Sequence, residues 1–226
     1  MKEKRHLVTI ASHSGTKHWS KSKVITFPME LSTNYAHSMK GHQEGDFIYS
    51  RAENPNRRQL EKLLTDLENG ECCAAFSSGV AAITAVFMSV EKRSYVIISK
   101  DLYHGSRAML ENYSLLWGLE YSSVHTTDLD VFKSAIKKNT SLALLESAWK
   151  PLLQITDLEN STIMARHSGI MVCVDITFST PYNTNLIEYG TDFVMHSTSK
   201  FSGGHSDITA GTIISAKKML HLIKFK

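Results

Sequence analysis

Short apolar blocks alternate along this chain with longer stretches of helical spacing. From Asn54, with Pro55 in the first turn, Leu60, Leu63, Leu64 and Leu67 recur at i, i+3, i+4 and i+7. That spacing predicts a helix with one apolar face, stopped near Gly70. Apolar runs predict strands at about 72–76, 95–99, 119–124, 141–145 and 170–175. A further run, Asp192-Phe193-Val194-Met195, reads as one more short buried strand. Between the strands, helical segments are predicted near 79–90, 104–112, 128–137 and 156–168. Strands alternating with helices imply an α/β fold, a mostly parallel sheet with helices on both faces. The expected organisation is an N-terminal arm over 1–48 and an α/β domain over 49–226, with no repeats or low-complexity tract.

Composition narrows the classes without choosing among them. At 226 residues, 42% hydrophobic and 21% charged, the chain can bury one substantial core. A net charge of +3 is too small to argue for a nucleic-acid partner. No apolar run is long enough to span a bilayer, and Met1-Lys2-Glu3-Lys4-Arg5-His6 lacks a signal peptide's hydrophobic stretch, so no membrane partner is expected. Cys72, Cys73 and Cys173 form no disulfide framework or CxxC pair, which points to a reducing cytoplasm. Cys173, Asp175, His196, His205 and Asp207 can be assembled on paper into a metal site, but their spacing matches no zinc pattern, and no metal is expected.

The chemistry concentrates in three places. His196-Ser197-Thr198-Ser199-Lys200-Phe201-Ser202-Gly203-Gly204 puts one lysine between hydroxyls and a glycine pair, just after the last apolar run. A lysine in an apolar pocket loses its proton more readily, and a neutral amine condenses with an aldehyde. Ser197 and Ser199, at alternate positions, suit a phosphate, and the combination suggests pyridoxal 5'-phosphate held as a Schiff base. Val172-Cys173-Val174-Asp175 ends a strand in a carboxylate, 25 residues before that lysine. Such a carboxylate keeps a pyridine nitrogen protonated, so that the ring accepts electrons. Ser77-Ser78-Gly79-Val80 precedes a helix, whose unpaired N–H groups and positive dipole end form an anion site that Gly79 lets a ligand approach.

These segments, with Tyr49-Ser50-Arg51-Ala52-Glu53-Asn54-Pro55-Asn56-Arg57, Asp101-Leu102-Tyr103-His104-Gly105-Ser106 and Glu146-Ser147, carry a family resemblance. From about Val24 to the C-terminus the chain resembles the Cys/Met-metabolism enzymes among the fold-type-I pyridoxal-phosphate proteins. These are cystathionine γ-synthase, cystathionine β- and γ-lyases and methionine γ-lyase. The resemblance implies that Lys200 carries the cofactor, that Asp175 partners its ring nitrogen and that Tyr103 stacks on its ring, with Lys200 and Tyr103 catalytic. It implies phosphate contacts from Ser78, Gly79, Val80, Ser197 and Ser199, and from Tyr49 and Arg51 across a subunit interface. It implies a homo-oligomer, dimer or tetramer, acting on a small amino-acid substrate: elimination or replacement at a sulfur amino acid or an activated homoserine. The basic arm of Lys2, Lys4, Arg5, Lys17, Lys21 and Lys23 would then pack on a neighbouring subunit.

The chain departs from the family's pattern in places. Where the family has Glu-(Ser/Thr)-Pro-x-Asn-Pro, this chain reads Glu146-Ser147-Ala148-Trp149-Lys150-Pro151. Lys150 therefore replaces the asparagine that bonds the cofactor's phenolic oxygen. Asp175 is followed by Ile176-Thr177 rather than Asn-Thr, and Ser199 stands for the usual Thr. The family's C-terminal domain, with its carboxylate-clamping arginine, would follow Lys226, behind an amphipathic helix over 216–226. The expectation is cofactor binding with weak turnover unless a second polypeptide supplies that half; the alternative is a cofactor-binding remnant or interaction subunit with little catalysis.

Overall fold

Glycine, serine and strand-forming residues alternate with helical stretches in unit after unit, and the backbone follows them closely. The computed structural model describes residues 6–14, 26–38, 45, 47–148 and 153–216. The basic positions 2, 4, 5, 17, 21 and 23, the Trp149-Lys150-Pro151 departure and the terminal helix beyond Ala216 lie outside the described residues.

The chain divides into two units, Met1–Leu67 and Glu68–Lys226. In the first, α1 (Leu7–His13) and α2 (Pro55–Leu67) are in contact. Asn54 Oδ1 accepts from Arg57 N at 2.9 Å, which caps α2 as a residue with a short polar side chain should. Of the four spaced leucines, Leu64 is buried and Leu60 is exposed.

The second unit holds a seven-stranded sheet of order β1-β7-β6-β5-β4-β2-β3. Its strands are β1 (Cys72–Phe76), β2 (Tyr95–Ser99), β3 (Glu120–Val124), β4 (Thr140–Glu146), β5 (Met171–Asp175), β6 (Phe193–His196) and β7 (Gly211–Ser215). The links from β3 through β2, β4 and β5 to β6 are all parallel, whereas β7 runs antiparallel to both β6 and β1. The helices are α3 (Gly79–Met88), α4 (His104–Trp117), α5 (Leu129–Ser134), α6 (Leu158–His167) and the short α7 (Thr180–Asn183). On one face Ala82, Ile83, Val86 and Phe87 of α3 and Leu110 of α4 cluster with Val96, Ile98, Leu142, Leu144, Cys173, Phe193, Met195 and Ile213. α6 contacts β5 and α5. β2, β6 and β7 are buried along their whole length, which is why β2 and β6 read as continuous apolar runs rather than alternating ones.

β4, β5 and β6 end level with one another, Glu146 opposite Asp175 and Asp175 opposite Met195. Side chains that share a register position share a face, so the carboxyl ends of these parallel strands present one row of groups to one space.

Candidate cofactor-binding site

At those carboxyl ends lies a cavity of about 1220 Å³. Ser78, Gly79, Val80, Tyr103, Asp175, Ser197, Ser199 and Lys200 all line it. Eight residues named from separate stretches of sequence therefore meet in one place. Tyr49 and Arg51 belong to the first unit, where the Arg51 guanidinium lies 5.3 Å from the Tyr49 ring centroid and Tyr49 bridges to Asn34.

The anion end is built by the start of α3. Ser78 caps that helix, its Oγ accepting from Ala81 N at 3.0 Å. The N–H groups of Gly79 and Val80 have no intrahelical acceptor at such an end, and the helix dipole adds positive potential there. Gly79 is required by close approach: a Cβ on it would sit 2.8 Å from Ser197 Cβ and 2.9 Å from Ser197 Oγ. Gly211 of β7 passes the same loop, where a Cβ would collide with Ser78 O. Two glycines thus bring Ser197 and β7 against the helix start.

Asp175 closes β5 with only 7% of its surface exposed. Its Oδ1 accepts from Thr177 N at 2.9 Å. Burial raises its pKa above the usual carboxylate range, while hydrogen bonds from Thr177 and the influence of His196 pull it back down. A buried carboxyl in that condition gains by meeting a cation or an N–H donor on a ligand. Beside it, the Cys173 thiol is held well above its ordinary pKa by burial and then by the charges of Asp175 and Asp192. It is therefore an unreactive core residue.

Thr177 is the functional residue that sequence reasoning left out of the site. Its Oγ1 accepts from Ser197 N at 2.8 Å while its own N–H holds Asp175. One threonine thus ties the acid-bearing strand end to the lysine-bearing one. A hydroxyl two residues after a strand-end aspartate is the signal that could have found it.

Lys200 sits in the turn after β6, its N–H donating to Ser197 O at 3.0 Å. It lines the cavity but is exposed, not enclosed in apolar surroundings as its sequence setting suggested. Ser199 turns its hydroxyl to the lead-in of β7, donating to Ala210 O at 3.1 Å and accepting from Ala210 N at 2.9 Å. That side chain braces the lysine turn, whereas Ser197 lies against Gly79 at the helix start. Phe178 and Phe201 meet edge-to-face, ring centroids 5.6 Å apart, on the same cavity. His196 faces away from this group: its Nε2 lies 2.5 Å from Glu68 Oε1, both side chains being essentially unexposed.

These residues fit pyridoxal 5'-phosphate. The α3 start with Gly79 and Ser197 would take the phosphate, Asp175 the ring nitrogen, and Lys200 the aldehyde carbon. An α/β sheet that brings these groups to its carboxyl ends is compatible with a pyridoxal-phosphate-dependent protein of the α/β class.

Comparison with known proteins gives the family. Residues 8–225 match the family described as Cys/Met metabolism PLP-dependent enzyme, and the chain belongs to it. It is 37% identical over 212 residues to a cystathionine gamma-lyase of Bacillus subtilis, covering 94% of this chain and 56% of that protein. With a probable cystathionine gamma-synthase of Herpetosiphon aurantiacus it shares 34% over 213 residues, 94% of this chain and 66% of the relative. Among solved structures, metB from Corynebacterium glutamicum superposes with a TM-score of 0.92 at 30% identity, covering 97% of this chain and 58% of the other. A cystathionine gamma-lyase from Lactobacillus plantarum complexed with L-serine gives 0.90 at 29% identity, covering 96% and 56%. The chain thus spans between about half and two thirds of the length of these relatives.

Proposed function

We propose that the chain serves pyridoxal-phosphate-dependent C–S bond chemistry, elimination or replacement at Cβ or Cγ of a sulfur amino acid or an activated homoserine. The observation that carries this reading is the meeting of Asp175, Lys200 and the Gly79 helix start around one cavity. Pyridoxal phosphate, when bound, supplies a sink for the electrons left behind when a bond at the substrate's Cα breaks. Asp175 would keep the ring nitrogen protonated, and its burial makes that ion pair worth more than it would be in water. The Lys200 amine would first hold the cofactor and then, released by the incoming substrate amine, take the Cα proton and return one further along the chain. Phe178 and Phe201 would keep water from one side of the cavity.

In this reading the working form is a homo-oligomer. Tyr49 and Arg51 would contact the phosphate held by a neighbouring subunit, a guanidinium fork being suited to that group. Mixing Arg51→Ala protein with Lys200→Ala protein then restores some sites in hybrids, each uniting an intact lysine with an intact arginine. Hybrids that form but bind no more cofactor than their parents would reject the trans contact.

The primary test is covalent. Borohydride treatment of the cofactor-loaded chain, followed by peptide mapping, should label Lys200; a label elsewhere overturns the assignment. A panel of cystathionine, homocysteine-type thiols and acylated homoserines then reads the chemistry. Labelling of Lys200 without turnover of any of them would reduce the reading to a cofactor-binding chain.

A further inference from the structure

Tyr103 is held from two sides, and one of the two holds is unusual. It is the residue just before α4, and no side chain of its own caps that helix. Instead its N–H donates to Glu146 Oε2 at 2.8 Å, joining the start of α4 to the end of β4 across 43 residues of sequence. A carboxylate there also lies at the positive end of the α4 dipole. The Tyr103 ring is placed by the second hold. A Cβ on Gly105 would lie 2.7 Å from Tyr103 Cε1 and 3.1 Å from Val80 Cγ2, so the ring rests where Gly105 has no side chain.

Glu146 is itself fixed from behind. Glu146 N donates to Ser99 Oγ at 3.1 Å, and Ser99 Oγ lies 3.1 Å from Thr126 Oγ1. Thr126 Oγ1 lies 2.8 Å from Thr156 Oγ1, which donates to Glu146 O at 2.9 Å. Since the Thr156 proton goes to the carbonyl, Thr126 must donate to Thr156 and Ser99 to Thr126. Each hydroxyl then donates once and accepts once, and the ring of bonds closes on one residue's N–H and C=O. Ser99, Thr126 and Thr156 are 0%, 0% and 3% exposed, so the ring is shielded from water, where such chains reinforce one another.

We infer that Glu146 is a positioning residue of the cofactor site: its carboxylate holds Tyr103 at the cavity wall, and the Ser99–Thr126–Thr156 ring holds Glu146. The inference rests on the proposed stacking of Tyr103 against the cofactor, but its structural half does not depend on any ligand. Both Tyr103 and Glu146 line the cavity.

The test therefore has two arms. In the ligand-free chain, hydrogen exchange over residues 102–107 should speed up about tenfold or more at Tyr103 in Glu146→Ala, a charged hydrogen bond being lost. Glu146→Gln, which keeps an acceptor, should retain most of the protection. Thr156→Val should accelerate the same amide, and Thr156→Ser should restore it, which keeps the test open if Glu146→Ala fails to fold. Unchanged Tyr103 exchange in both Glu146→Ala and Thr156→Val would overturn the inference. In the second arm, pyridoxal phosphate is titrated by its visible absorbance and induced circular dichroism. Glu146→Ala should weaken its binding about tenfold in the parent chain and less than about twofold in a Tyr103→Ala background. Equal weakening in both backgrounds would show that Glu146 acts other than through Tyr103. If the parent chain takes up no pyridoxal phosphate, the cofactor reading falls, and the exchange arm alone decides whether Glu146 holds Tyr103.

Discussion

Two buried carboxylates stand on opposite faces of the same sheet, and they are treated in opposite ways. Asp175 looks into the cavity with its register partner Met195. Among the described residues it has Thr177 as a hydrogen-bond partner and no ion pair. One residue beyond Met195, the chain turns His196 to the other face, where Glu68 meets it at 2.5 Å. The histidine's register partner there is Thr212 on β7. Among the described residues Glu68 has His196 within hydrogen-bond distance, whereas Asp175 feels His196 only through its electrostatic influence and makes no ion pair, which in the proposed reading leaves it to meet a ligand. In the proposed reading the buried Glu68–His196 pair is scaffold, and Asp175 is the position that meets the cofactor.

Substituting Asp175 by Asn tests this division most severely. In the cofactor-loaded chain, Asp175→Asn should leave Lys200 labelling intact yet slow exchange of the substrate Cα proton by orders of magnitude. Near-normal exchange would reject the role of Asp175. In the ligand-free chain the same change should stabilise. The folded pKa is raised by burial, so the stability linked to this group is fully present below the unfolded value and lost as pH rises through the folded one. Asn carries no charge to lose it with. The melting temperature of Asp175→Asn should therefore exceed that of the parent at neutral pH, and the gap should close on acidification. A less stable ligand-free variant at neutral pH would show that Asp175 is scaffold after all.

Next in size is the opposite face. Glu68→Ala leaves His196 buried at 1% exposure with its hydrogen-bond partner gone. Leaving a buried polar group without its partner costs about 1–3 kcal/mol, measurable as a drop in the urea midpoint. Glu68→Gln, which keeps an acceptor, should cost less. The folded fraction of either variant should still label at Lys200. A loss below about 1 kcal/mol in Glu68→Ala would mean the pair is no more structural than Asp175.

The same contrast explains what could be read from the chain in advance. β1, β2 and β5 fall within a residue of the apolar runs that predicted them; β2 and β5, buried on both faces, carry that signal in nearly every residue. α4 runs on to Trp117, five residues beyond the predicted end. Met109, Leu110, Tyr113, Leu115, Leu116 and Trp117 put apolar groups all round it and blur the helical period, and Gly118, at φ 67°, is the true stop. β7 was not anticipated: Gly211–Ser215 is a short run after a loop rich in Gly and Ser, and only pairing with β1 and β6 makes it a strand. In the site, the groups with evident chemistry, a lysine, an aspartate and a Ser-Gly helix start, were legible to the extent that they line one cavity. The groups that place them were not. Thr177 and Glu146 act through backbone N–H groups supplied by distant segments, and no local pattern encodes those partners. His196 could be entertained as a metal ligand for the same reason, because Glu68 is 128 residues away in sequence.

The smallest expected effect sharpens the point about burial. Lys62 and Asp66 form an ion pair one helical turn apart on α2, with side chains 57% and 32% exposed. Its chemistry matches that of Glu68 and His196, a basic group against a carboxylate, but water screens it. The lysine also precedes the acid, the weaker order on a helix. Lys62→Ala should therefore change the urea midpoint by no more than corresponds to about 0.5 kcal/mol, well below the Glu68→Ala loss. Raising the ionic strength should shrink even that difference while leaving the Glu68→Ala loss nearly unchanged, since salt reaches one pair and not the other. A Lys62→Ala cost above about 1 kcal/mol, or a Glu68→Ala cost that fades with salt, would mean that burial does not separate the two pairs and that the contrast between the sheet's faces has another cause.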